Sequence, residues 1–364
     1  MPDKSICFIN SSKSWGGGEK WHFHNALFLA EKGYSVHVIT NVGSKLYNEL
    51  DKKSILNTHP LKVSNFSFIN PLRIIQVINI LKEIKPETIV INLPSDLKLI
   101  ATSSWFFKIK NIVYRRGSAI AVKNSLINRY IFKNIISKII VNSMATKQSL
   151  LQNNRNLIAE NKIKLIYNGI DIKSYPKEKP ETNKRTSKEL IIGHLGRFSK
   201  EKNQAFLINV ALELERKNIP FQLVLGGDGP DFNKIKALIE KKHLSKYIIL
   251  PGFIKDTRKF MKSIDVFVLP SLWEGFGYVT IEAMANEKPV IAFNITSNQE
   301  IVDNNVTGFL TEKNDMKTFV EKISFFYDHP EKASEMGEKA RKRVEKYFNI
   351  QDRFIEFENF ICQL

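Results

Sequence analysis

The chain alternates short, uninterrupted apolar runs with longer stretches in which apolar residues return every three or four positions. The runs have the length of buried parallel strands, and the longer stretches have the period of helices packed on one face. The pattern opens with a strand at 5–10, a glycine-rich turn at 15–18 (WGGG), and a helix at 19–32 that brings Phe23, Ala26, Leu27 and Ala30 to one side. Gly33 suits the helix end, where a left-handed residue is common, and a second strand follows at 34–40. Strand, loop, helix and strand in this order begin a parallel sheet covered by helices. Further strands are expected at 88–92, 112–114, 138–141 and 164–167.

The pattern lapses over 171–188, where two prolines stand among Lys, Glu, Asn, Thr and Ser, as in an exposed linker. It then restarts. Strands are expected at 190–195, 220–226, 247–250, 266–269 and 289–293, with helices at 203–217, 231–242 and 278–286. From about 331 the chain reads as helical and dense in charge. The expectation is an α/β protein with two Rossmann-like, doubly wound domains facing a cleft. Residues 1–175 form the first, 176–345 the second, and a helix over 346–364 returns to the first. Ligands of such sheets bind outside the carboxyl ends of the strands. No 20–50-residue repeat interrupts this reading.

Charge separates the two halves. Residues 1–180 carry 27 Lys and Arg against 11 Asp and Glu, while 181–364 carry 28 against 26. Between Asp96 and Glu160 there are eleven Lys or Arg and no acid. Such a half attracts a polyanion: a phospholipid surface, nucleic acid or a phosphorylated acceptor. The two cysteines, Cys7 and Cys362, form no disulfide framework or metal motif, which fits a reducing compartment. The first apolar run is too short for a secretory signal, and no uninterrupted apolar run is long enough to span a membrane. A cytoplasmic protein, peripheral at the inner face of the cytoplasmic membrane, is the expectation.

The chemistry gathers in the second half. Residues 196–203 (GRFSKEKN) follow a strand and precede a helix. Arg197 offers a planar fork to phosphate oxygens and Lys202 a compact charge, although two surface cations beside a helix would read the same. Residues 274–282 (EGFGYVTIE) lie between a strand and a helix. The glycines allow backbone N–H groups close to a ligand, and the helix start is a natural phosphate seat. Glu274, in the loop, can accept bonds from sugar hydroxyls, and Glu282, on the helix, from a ribose diol. Gly16, Gly17 and Gly18 lack the spacing of a dinucleotide fingerprint, and Thr40-Asn41 stand where its acid would be.

The order of these motifs closely resembles glycosyltransferase family 4. The glycine-rich loop is followed by N-G-I-D at 168–171, G-R-F-S-K-E-K-N at 196–203, G-G-D-G-P at 226–230, and P-S-L-W-E-G-F-G at 270–277 with its E-x7-E. The resemblance covers roughly residues 5–350. It implies the GT-B fold, a UDP- or GDP-linked sugar as donor, no metal or other cofactor, and retention of anomeric configuration. By that likeness Arg197 and Lys202 neutralise the donor diphosphate, Glu282 holds the ribose, and Glu274 with the amides of Phe276 and Gly277 holds the sugar. Phe253 and Ile254 lie near the base, and Gly17 and Gly18 close over the diphosphate. Arg197, Lys202 and Glu274 are the catalytic candidates. The implied acceptor is a glycan or lipid-linked glycan of bacterial envelope polysaccharide or lipopolysaccharide.

One departure concerns residues 112–117 (IVYRRG), where Arg116 stands at the place usual for a histidine. An arginine is no base at neutral pH, but Arg115 and Arg116 are candidate acceptor contacts, with Glu19 a weaker one. His22 and His24 read as helix-surface residues. Residues 125–140 read as an amphipathic helix with Leu126, Ile127, Tyr130, Ile131, Ile135 and Ile139 in one stripe, near an aromatic–basic patch at 105–108 (WFFK). Packing on the sheet and docking on anionic lipid both fit that stripe. Two other readings are a GT-B sugar-nucleotide epimerase or phosphorylase, and a basic nucleic-acid-binding protein. The intact E-x7-E with Arg197 and Lys202 speaks against the former. The lack of a recognition motif or aromatic platform speaks against the latter.

Overall fold

The computed structural model describes residues 4–177 and 189–364. It divides into two compact units, Met1–Asn168 with Asp352–Leu364, and Gly169–Gln351. Of the linker expected at 171–188, residues 178–188 lie outside the described residues.

The first unit is built on a seven-stranded parallel sheet. Its strands are β1 (Ser5–Asn10), β2 (Ser35–Thr40), β3 (Asn57–Pro60), β4 (Thr88–Ile91), β5 (Asn111–Arg116), β6 (Lys138–Val141) and β7 (Ile163–Leu165), in the order β3-β2-β1-β4-β5-β6-β7. The strand order turns between β1 and β4, which opens a crevice at their carboxyl ends. Both faces of the sheet are covered, so its strands are apolar on both sides. Cys7, Ile9, Ile89, Ile91, Ile112 and Tyr114 face one core, while Ile6, Phe8, Val38, Val90, Val113 and Ile140 face the other. Burial raises the Cys7 thiol far above its ordinary range. β3 is half exposed and holds no apolar run, which is why the hydrophobic pattern does not mark it.

The second unit has a six-stranded parallel sheet: β8 (Leu190–Leu195), β9 (Phe221–Gly226), β10 (Ile248–Gly252), β11 (Val266–Leu269), β12 (Val290–Phe293) and β13 (Gly308–Thr311), in the order β10-β9-β8-β11-β12-β13. Its switch point lies between β8 and β11. β13 begins at Gly308, where a Cβ would meet the Val290 carbonyl oxygen at 2.1 Å, so only glycine lets the two strands pair this closely. The two doubly wound parallel sheets are the α/β architecture the sequence pattern implies.

The charged tail is two helices, Pro330–Tyr347 and Ile350–Cys362. The first buries Ala333, Ala340 and Val344 in the second unit. The second belongs mostly to the first unit, where Phe357 meets Trp21 edge-on at 4.9 Å and Phe354 stacks on Phe28 at 4.7 Å.

The stripe expected along 125–140 is not one helix. A short helix, Leu126–Tyr130, runs into a single wide turn, Ile131–Ile135, and the chain then enters β6. Ile131, Phe132, Ile136 and Ile139 are core residues, while Leu126, Ile127 and Tyr130 are exposed. Ile139, Ile140 and Val141 belong to the buried strand β6, whose continuous hydrophobicity cannot be told from a helical stripe by period alone.

Candidate functional site

In the second unit, β8 ends at Leu195 and the chain turns through Gly196 and Arg197 into a short 3-10 turn, Lys200–Lys202. Asn203, at φ 56°, then starts the helix Gln204–Arg216. The turn is held from below. Gly196 N–H bonds the Gly226 carbonyl at 3.0 Å, and Phe198 N–H bonds that of Asp228 at 2.9 Å. Phe198 is fully buried and meets Phe232 edge-on at 5.0 Å. At Gly227 (φ 133°) a Cβ would lie 1.9 Å from the Gly196 carbonyl oxygen, and at Gly229 (φ 155°) 2.4 Å from that of Phe198. The G-G-D-G-P motif therefore supports the Arg197 turn by close backbone approach.

The second loop, after β11, is tied to the first. Leu272 N–H bonds the Glu201 carbonyl at 2.7 Å, and Asn203 Nδ2 bonds that of Pro270 at 3.2 Å. Across this seam Lys202 Nζ stands 2.5 Å from Glu274 Oε1, which also accepts the Ser271 hydroxyl at 2.7 Å. The two side chains are 18% and 10% exposed, so the pair is largely out of water. Glu274 N–H bonds Thr296 Oγ1 at 3.2 Å, and Ser297 Oγ bonds the Phe276 carbonyl at 2.9 Å, which fixes the loop on both flanks. Gly277, at φ 91°, then turns the chain into the helix Tyr278–Ala285. A left-handed residue there is natural only for glycine, and the helix start presents N–H groups and positive dipole.

The structure thus brings Lys202, Glu274, Phe276 and Gly277 together at the ends of β8 and β11. Arg197 is exposed on the turn beside them. Glu282 is buried one turn into the helix rather than solvated. It lies near Tyr175, whose hydroxyl is raised above its ordinary range by burial first and by the Glu282 charge second. At the end of β10, Gly252 adopts φ 76° and releases Phe253, 72% exposed, while Ile254 packs over Gly226.

A residue outside the motif reading anchors the whole turn. His194 is fully buried on β8, with Nδ1 3.0 Å from the Val268 carbonyl and Nε2 3.3 Å from Gln204 Nε2. Gln204 Nε2 also bonds the Arg197 carbonyl at 2.9 Å. For the ring to accept from Gln204, its proton must sit on Nδ1, so the imidazole is neutral. Burial above all, and the Lys202 charge after it, lower its pKa from 6.5 to about 4. A lone histidine inside an apolar strand gives no sequence signal of this.

In the first unit the switch point is equally furnished. The helix after β1 is Gly17–Glu31, so Gly17 and Gly18 form its first turn. A Cβ on Gly18 would lie 2.7 Å from Asn92 Nδ2. Glu19 Oε2 accepts Gly16 N–H at 2.8 Å, making it a cap of this helix. Asp96 accepts the Ser11 backbone N–H at 3.0 Å and also the Ser11 hydroxyl. Burial raises its pKa from 3.8 to about 6 against the opposing Ser11 bonds. Arg115 is buried, bonds Asn92 Oδ1 at 3.2 Å and Asn168 Oδ1 at 3.1 Å, and lies over the Trp21 ring at 5.3 Å. Arg116 points to the other face of the sheet and donates to the Ile120 carbonyl.

His22 is not a helix-surface residue. It is buried between Phe8 and Trp21, both ring centroids at 5.4 Å, and neither ring nitrogen has a hydrogen-bond partner among the described residues. Burial and then the Arg115 charge keep it well below its ordinary pKa. His24 is exposed. Among the described residues no group of three His, Cys, Asp or Glu is placed to hold a metal ion. No helix of the described residues is long and apolar enough to cross a membrane.

Two family models match the chain. The one described as Glycosyltransferase Family 4 matches residues 15–174, and the one described as Glycosyl transferases group 1 matches residues 176–343. The capsular polysaccharide biosynthesis glycosyltransferase CapM of Staphylococcus aureus is 28% identical over 91% of this chain and 90% of its own. The UDP-Gal:alpha-D-GlcNAc-diphosphoundecaprenol alpha-1,3-galactosyltransferase of Escherichia coli is 33% identical over 53% of this chain and 52% of its own. Among solved structures, Anabaena HepE in complex with UDP and glucose superposes with a TM-score of 0.84 over 99% of this chain and 100% of its own, at 21% identity. That similarity shows the GT-B fold.

Proposed function

This chain belongs to glycosyltransferase family 4, and from that premise we propose that it moves a hexose from a nucleoside diphosphate sugar, UDP- or GDP-linked, to a glycan or lipid-linked glycan acceptor. The observation that carries the reading is the seam between the two loops of the second unit. There Lys202 meets Glu274 beside the Gly277 turn and the helix it starts. In this reading the leaving diphosphate is stabilised by Arg197, Lys202 and the helix N–H groups, which supply fixed positive potential where negative charge develops and ask for no metal. Glu282 takes the ribose, Glu274 and the amides of Phe276 and Gly277 the sugar, and Phe253 with Ile254 the base. The donor must compete for Lys202, because its charge is already matched by Glu274. Retention of configuration is part of this proposal, supported by the family likeness.

The acceptor is assigned by class. The two relatives named above act in capsular polysaccharide synthesis and on a diphosphoundecaprenol-linked sugar, as their names state. Both fit the basic first half, where a phosphorylated or lipid-borne acceptor is drawn by charge. We place the enzyme at an anionic membrane surface rather than on nucleic acid.

The test is a panel of UDP-, GDP- and ADP-sugars screened for a rise in melting temperature, since a ligand of the native state alone stabilises it. One donor class is expected to raise it, and Arg197→Ala and Glu282→Ala each to abolish the rise. Full responses in both variants would show that the donor seat is elsewhere.

A further inference from the structure

The helix Leu126–Tyr130 carries Leu126, Ile127 and Tyr130 and yet contributes no residue to the core. Leu126 is 81% exposed, Ile127 62%, and Tyr130 46%. The turn after the helix Pro94–Ser103 carries Trp105, 65% exposed, and Phe106, 68% exposed. The two segments meet, with the Trp105 and Tyr130 rings edge to face at 6.5 Å. Five large apolar side chains thus form one outcrop on the first unit, a patch that soluble monomers rarely leave open without use.

The charge carried by these two segments is of one sign, and the acid that shares a groove with Lys133, Glu160, is paired with Lys147. Arg129 is exposed on the helix, and Lys108, Lys123 and Lys133 are exposed on the chain flanking the two segments. Arg129 and Lys133 stand four positions apart, so they share a side of the helical turn. No Asp or Glu occurs between Asp96 and Glu160. A protein partner or a second copy of this chain would need acids of its own to match this rim. A bilayer with anionic lipids supplies negative charge and an apolar interior at once. Trp and Tyr are the residues that settle at the headgroup level, and Lys and Arg follow the phosphates.

We infer that the Trp105–Phe106 turn and the Leu126–Tyr130 helix are a membrane wedge. The aromatic and leucyl side chains enter the interface of an anionic leaflet, and Lys108, Lys123, Arg129 and Lys133 bind its headgroups. This rests on the proposed membrane location and names the structure that makes the contact. It replaces the long amphipathic stripe expected from the sequence, because half of that stripe is core.

The full chain is mixed with phosphatidylcholine vesicles containing or lacking phosphatidylglycerol, and bound protein is measured by sedimentation. Binding is expected to the anionic vesicles, and to weaken more than tenfold in Trp105→Ala/Leu126→Ala and in Arg129→Glu/Lys133→Glu. Quenching by lipids brominated on the acyl chain is expected in the native protein and lost in Trp105→Phe. The stabilisation by nucleotide sugar is read in parallel and is expected to be unchanged in all variants, so a failure of the wedge is separable from a failure of the donor reading. Anionic binding that survives both double variants would overturn the wedge while leaving a membrane location. Absence of vesicle binding by the native protein would overturn both. Lipid-independent self-association abolished by Trp105→Ala/Leu126→Ala would assign the outcrop to a second copy instead.

Discussion

The two units share a doubly wound parallel sheet, but they treat charge at the carboxyl ends of their strands differently. In the second, the cation Lys202 is matched at 2.5 Å by Glu274, and the nearby imidazole of His194 is kept neutral. In the first, Arg115 and Arg116 are both buried at the end of β5 and hydrogen-bond amide and carbonyl oxygens, while the buried Asp96 answers to a serine. The difference teaches that the scaffold does not dictate the site. One fold presents a compensated cation–carboxylate pair in one unit, and in the other a buried positive pair and a carboxyl raised by burial.

The largest expected effect tests which unit carries the departing charge. Lys202→Ala is expected to lower kcat/KM for sugar transfer by about 10²–10³-fold, the usual loss when one stabilising donor is removed. Arg116→Ala, whose guanidinium is turned to Ile120, is expected to change it much less. The reverse order in steady-state kinetics would transfer the main role to the first unit. Next comes the support beneath the Arg197 turn. Gly227→Ala must push its Cβ away from a carbonyl oxygen 1.9 Å distant, and urea unfolding is expected to show a loss of about 1–3 kcal/mol, the range of overpacked sites.

The pH response should separate His194 from Asp96 by sign. His194 titrates near 4 when folded against 6.5 otherwise. Its contribution is complete above pH 6.5 and is lost as pH falls toward 4, to a total of about 3 kcal/mol. Asp96 titrates near 6 against 3.8. It binds its proton more tightly when folded, so stability is lost as pH rises from about 4 to 6, again by about 3 kcal/mol. Asp96→Asn is therefore expected to be stabilising at pH 7 and neutral below pH 4, and His194→Gln to flatten the loss between pH 6.5 and 4. Urea midpoints of both variants across that range decide it, and a destabilising Asp96→Asn at pH 7 would show that the Ser11 bonds need the charge. The smallest effect is at Glu19, where Glu19→Ala is expected to cost about 1 kcal/mol as a lost cap and to leave nucleotide-sugar stabilisation unchanged.

Much of this was legible in the residue pattern, for identifiable reasons. Strands such as β1, β8 and β11 are continuous apolar runs because both sheet faces are covered, and the glycines of 226–229 and 275–277 mark turns whatever surrounds them. β3 was not legible, since N-T-H-P has no period to read. Nor was the break at Tyr130, because an apolar run that continues from an exposed helix into a buried strand looks uniform. His22 was misread for the opposite reason: a polar residue on a helix was assigned to solvent, and only the aromatic cage of Phe8 and Trp21 shows otherwise. His194 and Gln204 were silent because their role depends on residues about seventy positions away, at Val268, and on a backbone carbonyl.

The helix Ile350–Cys362 completes the packing around Trp21 and Phe8, yet in chain order all but its first two residues come after the second unit. A ribosome making this protein therefore exposes an unfinished first unit throughout the synthesis of the second. That unit's core is complete only once Phe357, Phe360 and Ile361 have emerged, so a stop before them removes part of the first unit's core while leaving its whole sheet in place.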